Sequence, residues 1–200
     1  MEENDKKRFL SYELGILTLK AALSTRDDKY PIYNKNTKVF QRSNAKKVLR
    51  EHLAAVEARY SQNEVSEDEH IAFISDASSE LSRNLSRYLH QGRFRIGVTQ
   101  KLINVHLKYL WTAGFCPEPP HCPIDGIIRD IAGINYNWTS SDSVDEYLQA
   151  IAALKKLATR KVTLWHSGNL NHLEEEKMRS SNPSIQPIAT LRLIFSLGNE

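Results

Sequence analysis

Cysteine, glycine and proline are all scarce in this chain. Its 200 residues include two cysteines, eight glycines and seven prolines. Two cysteines, Cys116 and Cys122, are too few for a disulfide framework, a four-thiolate zinc site or an iron–sulfur cluster held by this chain alone. The few glycines and prolines, without a long polar tract, argue against disorder. We therefore expect one globular domain, or a tight pair of lobes, over residues 1–200.

Long hydrophobic runs are also missing. No apolar run approaches the roughly 20 residues that a bilayer crossing needs, so the sequence predicts no membrane span. The first eight residues, Met1–Arg8, are mostly polar and charged and lack the apolar core of a signal peptide. A cytoplasmic location follows as the expectation.

Acidic residues are absent from one long stretch. Between Glu80 and Glu118 there is no Asp or Glu, although the net charge of the whole chain is only +3. The stretch therefore carries +6 and the rest of the chain −3; its basic residues are Arg83, Arg87, Arg93, Arg95, Lys101 and Lys108. Such an asymmetry indicates a polyanionic partner.

Apolar residues recur at helical spacing along most of the chain. The pattern predicts a helix over residues 5–23 that is buried nearly all round, and one from a cap at Ser43 to about Tyr60 with a basic outer face. A capping box of Ser66 and Glu69 predicts a helix that continues to about His90.

The second half of the chain shows the same periodicity. An apolar helix should end at Gly114, and a second should open at Ile124 and Asp125 with Ile127, Ile128 and Ile131 inward. A capping box of Ser143 and Glu146 begins a third. Another helix is expected around Leu170–Met178, with segment 188–197 packing back on the body. Because no strand pattern persists, the predicted fold is all-α, a two-lobed helical bundle.

Residues 93–138 combine three features that can act together. A glycine-containing turn opens a helix, so free N–H groups at Gly97–Gln100 and the helix dipole can hold a phosphate, flanked by Arg93 and Arg95. Lys101 falls on the first turn of that helix, where the dipole and the arginines favour its neutral, nucleophilic amine. A proline-rigid connection delivers Asp125 to the start of the next helix. Lysine and carboxylate should then face each other across a cleft.

This segment resembles the helix-hairpin-helix DNA glycosylase superfamily. The family's Gly-Val-Gly-x-Lys hairpin is similar to Gly97-Val98-Thr99-Gln100-Lys101, with Thr99 at the second glycine. Its Pro-Val-Asp is matched by Pro123-Ile124-Asp125. An Ile-Ala pair and an aromatic-x-Trp of the 8-oxoguanine type resemble Ile131-Ala132 and Tyr136-Asn137-Trp138. The likeness covers about 45 residues.

The resemblance implies a base-excising enzyme. Lys101 would be the amine and Asp125 the catalytic carboxylate, while Arg93, Arg95, Gly97, Thr99 and Gln100 would grip the DNA backbone. A flipped base would enter a pocket, held by stacking and edge hydrogen bonds; the candidate groups are His121, Tyr136, Asn137 and Trp138. The expected partner is double-stranded DNA, the expected state a monomer, and no organic cofactor is needed.

The substrate remains open at this point. A small glycosylase without accessory domains is similar to those that bacteria use against phages with modified cytosines, whereas repair of oxidised or alkylated purines fits the same residues. Attack by Lys101 would give a Schiff base and a nicked strand, whereas attack by water would leave an abasic site. His121 and the two cysteines lie on a proline-rich loop without a recognised ligand spacing, so no metal is expected.

Two readings from other classes compete with this one. Arg83 and His90, seven positions apart and therefore expected on one helix face, resemble the Arg-x(4–6)-His motif of HEPN ribonucleases. A non-catalytic helix-hairpin-helix DNA-binding module would keep the hairpin without turnover. In that case Asp125 would be a helix cap and Lys101 an ordinary lysine.

Overall fold

The structure is a computed structural model that describes residues 3–25, 27–62 and 64–166. Six α-helices and one 3-10 turn account for most of this part of the chain, and no strand occurs within it. The all-α prediction is therefore confirmed. The chain divides into two compact units, Met1–Tyr147 and Leu148–Glu200. A single domain over residues 1–200 stays a prediction, and the elements expected at 170–178 and 188–197 lie outside the described residues.

The helices follow one another with short connections. They are α1 (Glu3–Leu23), α2 (Val39–Tyr60), α3 (Glu67–Leu85), α4 (Ile96–Thr112), α5 (Gly126–Ala132) and α6 (Val144–His166). The 3-10 turn, His90–Gly92, lies between α3 and α4. Among the helices described, none combines the length and apolar content that a bilayer crossing needs.

Helix α4 is the centre of the first unit. It contacts α1, α2 and α3, and 13 of its 17 residues are buried. Apolar residues such as Leu102, Ile103 and Leu107 surround most of its circumference, and each buried side chain of this size stabilises the fold by about 1.5–3 kcal/mol. Five polar residues of α4 are buried as well and need polar partners: Thr99, Gln100, Lys101, Asn104 and His106.

Helix starts follow the local capping signals only in part. The capping box at α3 is confirmed, because Ser66 accepts from the backbone N–H of Glu69 and Glu69 accepts from that of Ser66. Helix α2, however, begins at Val39 and not after Ser43. The backbone N–H of Lys38 donates to Gln41 Oε1 at 2.8 Å, which caps the helix one turn earlier.

Two apolar faces expected inside are exposed. On α1, Phe9 is 63% exposed and Leu17 49%, because α1 packs on α2 and α4 through the side that carries Leu19 and Ala22. On α5 the prediction is wrong for two of three residues, since Ile127 and Ile131 are exposed and only Ile128 is buried. A two-turn helix covers its core with a single residue.

Candidate functional site

Lys101 is a buried lysine that faces an aromatic ring. Because α4 begins at Ile96, Lys101 lies in the second helical turn and not the first. It is 7% exposed, and its Nζ lies 3.9 Å from the centroid of the Trp138 ring. Burial lowers the pKa of Lys101, and the Asp125 carboxylate opposes that shift. The lowered pKa increases the neutral, nucleophilic fraction of the amine.

Asp125 caps helix α5 with one of its two oxygens. Its Oδ1 accepts from the backbone N–H groups of Ile127 and Ile128 at 3.0 and 3.1 Å. Within the described part of the chain, no hydrogen bond reaches Oδ2, and no ion pair joins Asp125 to Lys101. The positive end of the helix dipole stabilises the carboxylate anion. Capping therefore leaves one carboxylate oxygen available for chemistry.

Gly97 allows Trp138 to approach α4. A Cβ at Gly97 would overlap the backbone carbonyl oxygen of Trp138. Lys101 follows Gly97 by four positions and therefore lies on the same helix face. Gly97 thus determines how closely the segment that carries Trp138 packs against Lys101, and this packing role differs from the predicted contact with phosphate.

The predicted phosphate cradle at the start of α4 is occupied by the chain itself. The backbone N–H of Ile96 donates to Asp142 Oδ1 and that of Gly97 to the Ser141 carbonyl. Those of Val98 and Thr99 donate to the Arg95 carbonyl. The expectation of free N–H groups at Gly97–Thr99 is therefore wrong, because Asp142 already supplies the anion that a helix N-terminus favours.

The two flanking arginines are engaged in the same segment. Arg93 binds Asp142 with two nitrogens, at 2.8 and 2.9 Å. Arg95 is 5% exposed and donates to the carbonyls of Thr139, Tyr30 and Pro31. Arg95 thus ties loop segments together through Nε and Nη2, and its Nη1 is buried without a partner in the described structure.

Thr99 and Gln100 are also structural in this arrangement. Both are fully buried, and the Thr99 hydroxyl donates to the Phe94 and Arg95 carbonyls. The Gln100 side chain donates to the Ile124 carbonyl at 2.7 Å and accepts from the Ile124 N–H at 3.1 Å. Because Gln100 precedes Lys101 and Ile124 precedes Asp125, this two-bond clamp fixes the backbones of both candidate catalytic residues.

The four residues predicted for a base pocket do not line one opening. Tyr136 and Trp138 are 4% and 7% exposed, whereas Asn137 is exposed and bonds to Thr139 and Asp27. His121 is 1% exposed; its Nδ1 bonds to the Tyr147 hydroxyl at 2.6 Å and its Nε2 to Glu67 at 3.0 Å. Of the four, Trp138 is the residue whose ring lies against the Lys101 amine.

A buried polar network, which no sequence pattern indicated, connects His121 to the core. His70 binds the Tyr60 hydroxyl at 2.7 Å and Asn104 Oδ1 at 2.9 Å. Asn104 donates to the Tyr147 hydroxyl, which binds His121. The network joins α2, α3, α4, the 116–123 loop and the start of α6, and it satisfies polar groups that burial would otherwise penalise.

The ribonuclease motif is not placed on one helix. Helix α3 ends at Leu85, so exposed Arg83 is helical whereas His90 opens the 3-10 turn. The chain turns here because the backbone N–H of His90 donates to the Ile32 carbonyl, and Gln91 and Gly92 adopt positive φ angles. The expectation of a shared helix face is wrong.

Comparisons with known proteins assign no family. No protein-family model, curated protein or solved structure matches the chain.

Proposed function

We propose that the chain is a DNA glycosylase whose reaction centre is formed by Lys101, Asp125 and Trp138. The observation that carries the proposal is the buried Lys101 amine, stacked 3.9 Å over Trp138, with its pKa lowered by burial. A buried lysine with a specific carboxylate acting on it is typical of functional sites. The resemblance of residues 97–101 and 123–125 to the helix-hairpin-helix glycosylases supports the same assignment.

The chemistry uses the two polar groups in different roles. As the bond between the base and C1′ of the sugar breaks, its electron pair leaves with the base and positive charge develops on the sugar. Asp125 Oδ2 stabilises that charge. Either the neutral Lys101 amine bonds to C1′ as the base leaves and passes a proton to Asp125, after which the C1′–O4′ bond breaks, O4′ takes up a proton and a Schiff base forms, or a water deprotonated by Asp125 attacks C1′ and leaves an abasic site.

Trp138 gives the site an apolar wall. The target nucleotide leaves the stack at a cost of a few kcal/mol, which contacts to the flanking phosphates offset. Trp138 is 7% exposed, so its ring stacks on a flipped base only after the segment that carries it moves. The substrate class is a damaged purine or a modified cytosine in double-stranded DNA; we place the activity in the cytoplasm and in a monomer.

A second candidate function is a DNA-binding module without turnover. The burial of His121, Tyr136 and Trp138 favours it, because these residues leave little room for a base in the described arrangement. In that case Lys101 and Trp138 form a core contact, and Asp125 is only a helix cap.

Base release from defined duplexes tests the proposal. Purified protein is incubated with duplexes that each carry one oxidised, alkylated, hydroxymethylated or glucosylated base, and abasic sites are scored by alkaline cleavage. Borohydride then traps any Schiff base to Lys101. Release of one base class supports the glycosylase; tight duplex binding without release from any substrate contradicts it and favours the module.

A further inference from the structure

Of the stretches of the sequence that lack acidic residues, two carry the most basic ones. Residues 29–50 carry seven Lys or Arg, and residues 81–117 carry six. Together they hold 13 of the 27 basic residues and none of the 24 acidic ones, so the remainder has a formal charge of −10. The charge separation is therefore much larger than the net charge of +3 indicates.

The fold joins these two stretches. The backbone N–H of Asn34 donates to the Tyr88 carbonyl at 2.9 Å, and that of His90 to the Ile32 carbonyl at 3.0 Å. The Thr37 hydroxyl also donates to the Tyr88 carbonyl, at 3.0 Å. Residues 51 to 58 positions apart are thus held side by side by two main-chain hydrogen bonds and one from a side chain.

The joined stretches present a set of exposed cations, which we call the basic surface. All of its members have exposed side chains, and none forms an ion pair within the described residues: Lys35, Lys38, Arg42, Lys46, Arg83 and Arg87. The acidic residues that border the two stretches are Asp28, Glu51, Glu80 and Glu118. Like charges without an anionic partner repel one another, and a polyanion removes that repulsion.

We propose that the basic surface binds the phosphate backbone of double-stranded DNA. The choice of duplex DNA rests on the proposed function; the surface itself rests on charge and hydrogen bonding. Lysine and arginine that neutralise phosphates release condensed counterions, which drives binding. The closed start of α4 therefore does not deprive the protein of a phosphate contact, because the basic surface supplies it.

The position of the basic surface relative to Lys101 suits one duplex. Arg95 donates to the carbonyls of Tyr30 and Pro31 and to that of Thr139, which follows Trp138. From Pro31 to Lys38 the chain spans at most roughly 25 Å. The Arg95 side chain bridges the remaining step from Pro31 to the Trp138 segment, and a duplex of two helical turns, roughly 68 Å long, is long enough to contact both places.

An anionic membrane fits this surface less well. A helix that lies on a membrane needs an apolar face next to its basic one. The apolar face of α2, with Leu49, Leu53 and Val56, is buried in the core, although Val39 and Phe40 at its start are exposed. The basic surface therefore favours a partner that offers charge without a hydrocarbon interior.

Removal of four charges tests the inference. In the variant K35Q/K38Q/K46Q/R87Q, none of the four side chains loses a hydrogen bond or an ion pair of the described structure. Binding to a fluorescent 20-base-pair duplex is measured by anisotropy at several salt concentrations. We expect at least a tenfold weaker Kd, and a plot of log K against log salt that is shallower by roughly 3.

A matched variant keeps the result specific. K6Q/R8Q/K20Q/K156Q removes the same charge from exposed positions outside the basic surface and should retain most of the affinity and slope. Equal losses of duplex affinity in both variants, or wild-type duplex affinity in the first variant, would overturn the inference. Binding to phosphatidylserine vesicles is measured in parallel. If the first variant loses vesicle binding but keeps duplex binding, the inference is also overturned. K101M separates the two proposals: if it and the wild type bind duplexes but release no base, the glycosylase fails while the surface stands.

Discussion

Two opposing effects act on the Lys101 amine, and their balance determines how much of it is neutral. Burial destabilises its ammonium, whereas the Asp125 carboxylate and the face of the Trp138 ring stabilise it. A purely structural cation over an aromatic ring would not need Asp125 nearby. A reactive amine needs both a neutral fraction and a carboxylate that responds to charge on the sugar.

Substitution of Lys101 distinguishes these roles. K101M keeps the buried apolar stem and removes the amine, so borohydride trapping should disappear and base release should fall about 100-fold or more if the amine is the nucleophile. K108M, on the same helix, is the matched control and should behave as wild type. Wild-type trapping in K101M would contradict the assignment of Lys101.

Gly97 gives a second prediction at the level of one residue. G97A places a methyl group against the Trp138 carbonyl, so the helix or the Trp138 segment must shift, and unfolding should become easier by roughly 1–3 kcal/mol. The control is G15A in α1, where nothing lies within 4 Å, and it should stabilise the fold by about 0.5–1 kcal/mol. Urea denaturation measures both. Equal stability of G97A and the wild type would contradict the packing role of Gly97.

The local motifs were readable from the sequence because they depend on neighbours in the chain. Caps at Ser66 and Asp125 follow from one side chain and the next turn of helix. What the sequence did not reveal is long-range: Asp142 fills the start of α4 from 46 positions away. The apolar periodicity of α1 likewise predicts a helix, but it does not indicate how much of the helix surface is covered by neighbouring helices.

Helix α4 and the loop before α5 are coupled by Gln100. In Q100L the N–H and carbonyl of Ile124 lose their buried partners, which costs roughly 2–4 kcal/mol and loosens the backbone of Asp125. We expect single-turnover base release to fall while duplex Kd stays within about twofold. Urea denaturation under the assay conditions shows whether Q100L is folded, so that unfolding is not mistaken for a slower reaction. An unchanged rate of base release in folded Q100L would refute the positioning role of Gln100.

The buried histidines make the helical core sensitive to acid. Burial lowers the pKa of His70 to about 3 and that of His106 to about 4, whereas in the unfolded chain both take up protons below about 6.5. The unfolded state therefore binds more protons in this window, and the free energy of unfolding should fall as pH drops from 6.5 towards 4. The expected slope is roughly 1.4 kcal/mol per pH unit for each histidine.

H70Q provides the check on that slope. It should be less stable than wild type at pH 7, because Tyr60 and Asn104 lose a well-placed partner, yet its stability should decline less steeply with acid. Urea denaturation at pH 7, 6 and 5 measures the difference. Parallel pH profiles for H70Q and wild type would show that His70 does not carry the effect.

At the scale of the whole molecule, we assign duplex binding to the basic surface and base release to the centre formed by Lys101, Asp125 and Trp138. The charge distribution was partly predictable, since the acid-free stretch after Glu80 already indicated a polyanionic partner. The pairing of this stretch with residues 29–50 was not predictable, because main-chain hydrogen bonds between residues more than 50 positions apart leave no periodic pattern in the sequence. The candidate centre was predicted for Lys101 and Asp125, whereas the residues expected to grip DNA instead hold the fold together.

The central claim is that Asp125 acts on the sugar and does more than cap α5. Single-turnover base release by D125N tests it most directly, with D130N on the same helix as the matched control, since the Asp130 side chain is exposed and, in the described structure, bonds to Arg129 alone. The amide of D125N keeps an oxygen that can accept from Ile127 and Ile128, so the cap survives. We predict that D125N binds duplex DNA as wild type but releases base at least about 100-fold more slowly, while D130N is unchanged; equal rates for D125N and D130N on a substrate that the wild type cleaves would contradict the account.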